Sequence, residues 1–208
     1  VRGSVPVYLK VVIVVSACQF TLSKFQMNSN DIKQQVQQWL ETIIIDLNLC
    51  PFAKRELLKN RIKFSVTQAN DDTELLSSLL NELVFLEKHL DIETTLLIHP
   101  SVLTDFYDYN DFLDKADQLL IEHGYDGTFQ IASFHPNYQF ANTEADDNEN
   151  YTNRSPYPLL HLLREQSLDD AIESYGDTST IPQRNIDLMN ELGTEKIQAL
   201  FKTCLKSG

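Results

Sequence analysis

The sequence predicts an α/β fold: a small parallel sheet of βαβαβ connectivity with helices packed on it, followed by a helical carboxy-terminal third. Three observations carry that expectation. Between Ile62 and Phe134, short apolar runs of strand length alternate with longer segments whose apolar residues recur at helical spacing. Two of the three strand-like runs stop at a His-Pro pair, His99-Pro100 and His135-Pro136. Strand–helix–strand units close with right-handed crossovers, which sets neighbouring strands parallel.

In chain order, Ile32, Val36, Trp39, Leu40, Ile43, Ile44 and Leu47 make one face of a helix that begins at Ser29 and is over by Pro51. Ile62 to Ala69 alternates Ile62, Phe64 and Val66 with polar residues and reads as a strand. Asp71, with Glu74 three residues on, forms a capping box for a helix whose stripe is Leu75, Leu76, Leu79, Leu80, Leu83 and Val84. Thr95 to His99 is apolar enough for a strand buried on both faces. Thr104 is the expected cap of the next helix, with Phe112, Leu113, Ala116, Leu119 and Leu120 inward and Gly124 as its C′ residue. Phe129 to Phe134 is the third strand.

The chain has 208 residues and a formal net charge of −13, with three cysteines. So negative a charge opposes non-specific binding to nucleic acid or to an anionic membrane, since both need a cationic face. Cys18, Cys50 and Cys204 are widely spaced, form no CxxC pair and suit a reducing, cytoplasmic setting. Residues 1–26 read as an over-extended start or disordered leader, and 27–208 as a single α/β domain. The run Val11 to Val15 before Ser16-Ala17-Cys18 resembles a lipoprotein cleavage box, but it is far too short to span a bilayer.

The periodic pattern vanishes between Pro136 and Pro158. A polar stretch of that length inside a domain is either disordered or functional, and its tyrosines and Phe140 argue for order. His99 and His135 are expected at the carboxyl ends of their strands, where open parallel sheets bind ligands. His135 is therefore a candidate general acid/base, or else caps its strand through the backbone. His161 joins it as a catalytic candidate. Together with Asp146 and Asp147 the two histidines could hold a divalent metal, since imidazole and carboxylate suit zinc, manganese or iron, although the spacing matches no standard motif.

The cations are unevenly placed. From Ala116 to Glu195 there is no lysine, and the basic residues other than histidine are Arg154, Arg164 and Arg184. A planar guanidinium that forks onto phosphate or carboxylate cannot be copied by lysine, so these three are candidates for clamping a small anionic substrate, with Asn153, Tyr157 and Asn185 beside them. They could equally pair with Asp146, Asp147 or Glu165 to pin the loop. Cys50, in Leu49-Cys50-Pro51-Phe52, is a third catalytic candidate if it opens a helix that lowers its pKa; otherwise it is a buried structural thiol.

The strings Leu47-Asn48-Leu49-Cys50-Pro51-Phe52-Ala53, Phe134-His135-Pro136-Asn137-Tyr138 and Asn150 to Pro158 resemble a bacterial family, as do Leu160-His161-Leu162-Leu163-Arg164-Glu165 and Ile181-Pro182-Gln183-Arg184-Asn185. It is the domain-of-unknown-function family 1415. The resemblance runs from about Trp39 to Gly193. It implies a soluble bacterial protein and names no reaction, cofactor or partner. The expected function is an enzyme acting on a phosphate- or carboxylate-bearing small molecule at the carboxyl edge of the sheet. Two alternatives stand beside it: a non-catalytic module for an anionic metabolite or a protein, and a structural loop with no ligand.

Overall fold

The structure, a computed structural model, describes residues 28–205. The expected leader, the start at Met27 and Cys18 lie outside the described residues. Asn28 caps the first helix, α1 (Ser29–Trp39), its side chain accepting from Asn30 N–H. The chain then widens into a π-helical segment, Leu40–Ile45, before Asn48 turns it in the left-handed region (φ 54°). Asn is one of the few residues that adopts this conformation readily. The helix therefore ends ahead of Pro51 for a local backbone reason, and a short α2 (Ala53–Leu58) follows.

Strands β1 (Ile62–Val66), β2 (Thr94–Ile98) and β3 (Phe129–Phe134) form where expected, β1 shorter by three residues and β2 shifted by one. Helix α3 (Asp72–Lys88) has the expected capping aspartate, Asp71, accepting from Glu74 N–H. Helix α4 (Phe106–Glu122) is capped by Asp105, not Thr104: the Asp105 carboxylate accepts from both Tyr107 and Asp108 N–H. A carboxylate has the stronger acceptor and faces the positive helix end. Gly124, at φ 72°, closes α4 in the left-handed conformation.

The purely parallel sheet is corrected. Leu159–Arg164 is a fourth strand, β4, and lies between β2 and β3, antiparallel to both; the order is β1-β2-β4-β3, with only β1 and β2 parallel neighbours. Both faces of β4 are covered, so its sequence carries no polar alternation, and a leucine-rich run of six reads as helix. The carboxy-terminal third is otherwise helical: α5 (Glu165–Tyr175), α6 (Ile181–Leu192) and α7 (Thr194–Cys204).

Two cores result. Leu75, Leu79, Leu83 and Leu86 of α3, with Phe112 and Ala116 of α4, cover one sheet face over Leu97, Leu160 and Leu162. Val36, Trp39 and Ile43, with Met189 and Ile197, cover the other over Leu96, Ile98 and Leu159. No described helix is long and apolar enough to cross a membrane.

Candidate functional site

His99 and His135 do share one edge of the sheet. Both rings pack on Tyr109, with centroids 5.8 and 5.1 Å away, and both histidines are fully buried. His99 Nδ1–H donates to Val102 O (3.0 Å) while Nε2 has no partner among the described residues, and burial lowers its pKa to about 4. At His135, Nε2–H donates to Leu103 O (3.2 Å) and Nδ1 accepts from Asn137 N–H (3.0 Å). That pairing fixes a neutral tautomer with both nitrogens occupied, in line with a pKa lowered by burial.

The long loop is ordered from within. Asn150, fully buried in a 3₁₀ turn (Asn148–Thr152), accepts on Oδ1 from Phe140 N–H and Thr143 Oγ1–H, and donates from Nδ2 to Glu144 O, all at 2.8–2.9 Å. Arg154 donates to Tyr138 O (3.2 Å) and Ala145 O (2.5 Å) and lies over the Tyr151 ring. Its own carbonyl accepts from Trp39 Nε1–H (3.0 Å), which ties the loop to α1.

The other two arginines bind backbone as well. Arg164 reaches Leu86, His89 and Ile92 carbonyls, capping the end of α3. Arg184 donates to Asn48 O (2.5 Å) and Asn185 Oδ1 (3.1 Å), holding α6 to the Asn48 turn. Thus the three guanidiniums stand at three separate places, each on carbonyl oxygens. Tyr157 O–H donates to Gln35 Oε1 (2.6 Å) and its pKa is raised by burial. Asp146 and Asp147 are exposed, and Asp147 accepts from Glu144 N–H (2.8 Å). Among the described residues, no three His, Cys, Asp or Glu come together to hold a metal.

His161 is placed differently. It sits mid-strand on β4, paired with Leu96 of β2 and Ala132 of β3, on the face opposite α3 and α4. Ala132 is too small to cover its neighbour, so a cavity of about 280 Å³ opens above the strand. Trp39, Leu40, Ile44 and Phe52 are among its apolar walls, and α5 closes it with Leu168 and Ala171; Phe52 packs edge-on against Tyr175. Phe134 stands 6.2 Å from the imidazole, centroid to centroid. The His161 ring makes no hydrogen bond to any described residue, and its partial exposure is to the cavity it lines. Removal from water alone lowers its pKa to about 4, so it is neutral at pH 7.

At one end of this cavity Glu56 meets Arg55 (2.6 Å) and Arg61 (3.1 Å), and Arg61 also pairs with Glu93. Charges there are balanced. Cys50 is a free, half-buried thiol lining the cavity, and it also lines a second one of about 530 Å³, where Asn153 and Asn185 stand with Glu149, Thr152 and Phe140. Arg184 lines a third, more open hollow.

A family model described as a protein of unknown function, DUF1415, matches residues 31–199. The chain belongs to the DUF1415 family. No curated protein and no solved structure matches it. All residues lining the first two cavities fall inside the matched span. His161, Cys50, Asn153 and Asn185 were legible as candidates in the DUF1415 sequence. Ala132, Phe134 and Glu149 were not: none is unusual by type, and only the β3–β4 pairing shows what they surround.

Proposed function

We propose that the DUF1415 domain binds a small, mostly apolar molecule in the cavity over the sheet, with His161 as a neutral polar group that contacts the ligand. One observation carries this reading: a neutral imidazole without a hydrogen bond to any described residue lines a cavity whose walls are mostly apolar. Burying an unsatisfied polar group costs about 1–3 kcal/mol, and ligand sites are where such groups are kept. The volume is near the lower end of the range of about 300–1,000 Å³ found for ligand pockets.

An anionic substrate at the sheet edge, with His135 as acid/base and an arginine clamp, draws less support. The His135 nitrogens and the three guanidiniums already have backbone partners. The same bonds favour a structural role for the loop.

Titration calorimetry with n-octanol tests the proposal. Saturable binding is expected for the wild type, lost in Ala132→Leu, which fills the space beside His161, and weakened in His161→Leu. Equal affinity in Ala132→Leu, with the variant shown folded by circular dichroism, would overturn it.

A further inference from the structure

The two cavities have a common wall. Ile44, Cys50 and Phe134 line both, so the space over His161 and the space beneath the polar loop adjoin across the same three side chains. We infer that they form one bipartite cleft whose ligand is an amphiphile, with an apolar body over His161 and a protonated amine at Glu149. This rests on the reading that the first cavity is a ligand site.

The chemistry of the second chamber selects the sign of the ligand's polar end. No Lys, Arg or His lines it. Its two carboxamides are neutral and set no sign: each spends one of its two amide hydrogens on backbone, Asn153 Nδ2 on Ser133 O (3.1 Å) and Asn185 Nδ2 on Leu49 O (2.9 Å). The Thr152 hydroxyl has Glu149 O (2.8 Å) and Asn153 Oδ1 (3.3 Å) as acceptors, so its proton stays within the lining. Glu149 lines the chamber with no ion pair or side-chain hydrogen bond to any described residue, and its carboxylate is the only formal charge in the lining. Arg184 approaches Asn185 from the neighbouring hollow, but donates there to Asn48 O and Asn185 Oδ1. The chamber thus holds one carboxylate with no ion pair to any described residue, and no cation in its lining to offset it. An ammonium, with three donors and a positive charge, complements it; a carboxylate or phosphate does not.

The test compares three chains of equal length, n-octylamine, n-octanol and octanoate, by titration calorimetry at pH 7.5 against wild type, Glu149→Gln and Ala132→Leu. Octylamine is expected to bind about tenfold or more tighter than octanol, as a single charge-assisted contact allows. In Glu149→Gln that preference should disappear while octanol affinity stays unchanged; the net charge moves only from −13 to −12, so non-specific attraction to the protein persists and would not account for the loss. Ala132→Leu should weaken both. Equal binding of amine and alcohol, a preference that survives Glu149→Gln, or tightest binding of octanoate each overturns the amine assignment while leaving the first cavity as a ligand site. If no probe binds saturably, that underlying reading fails as well.

Discussion

Replacing His161 by leucine, a residue of similar volume, should make the protein more stable. At pH 7 the wild type buries a neutral imidazole with no hydrogen bond to any described residue, on the central strand pair of the sheet. An apolar side chain there removes that cost, and a gain of about 1–2 kcal/mol is expected after allowing for partial exposure. Acidification enlarges the gap. The folded-state pKa of about 4 lies below the ordinary 6.5. The stability that depends on the neutral ring is therefore complete above pH 6.5 and is lost as pH falls toward 4, because the unfolded chain takes up the proton first. At pH 5 that uptake costs the wild type about 2 kcal/mol and the leucine variant nothing. Urea unfolding of both proteins at pH 7 and pH 5 measures the two differences, and all other titrating groups cancel. A variant less stable at pH 7, with a gap that does not widen at pH 5, would mean that His161 has a partner and would refute the reasoning.

Arg164→Lys should destabilise by about 2 kcal/mol, since a single ammonium cannot reach the Leu86, His89 and Ile92 carbonyls together; faster amide exchange in the last turn of α3 should accompany it. Tyr109→Phe removes a buried hydroxyl that donates to Leu159 O (2.9 Å) and accepts from Phe134 N–H (3.0 Å), so a loss of about 2–3 kcal/mol is expected in thermal or urea melts. In a Cys18→Ser background, a thiol reagent should label half-buried Cys50 quickly and Cys204, which is buried with its pKa raised, only on unfolding; equal native rates would contradict the placement of both.

How far the fold could be read in advance depended on whether a segment's own pattern decides its structure. β3 was legible to the residue because Phe129 and Pro136 bracket it. α3 and α4 were legible from their leucine and aromatic stripes. β4 was not, since Leu159 to Leu163 packs on both faces and leucine favours helix when nothing local opposes it. That single miss hid the cavity, because Ala132 leaves room beside His161 only once β3 and β4 are paired. The arginines failed to announce their partners for another reason. Residue type shows that a fork is needed, but backbone carbonyls at the end of α3 or in the Asn48 turn carry no sequence signature.

The sign of the ligand's charge bears on what His161 can do. An imidazole with a pKa of about 4 is almost wholly unprotonated at pH 6–8, so it is available as an acceptor or base throughout that range. A carboxylate docking beside it would raise its pKa and couple binding to proton uptake, so affinity for octanoate would rise steeply on acidification. A ligand held by its ammonium at Glu149, with an apolar body over the imidazole, brings no such charge to the ring. Octylamine affinity should then be flat between pH 6 and 8 and fall only as His161 takes up its proton below about pH 5. Calorimetry in buffers of different ionisation enthalpy checks this directly: no net proton uptake is expected at pH 7. Uptake approaching one proton per ligand would show that the ring is charged in the complex, and would return an anion to the cavity.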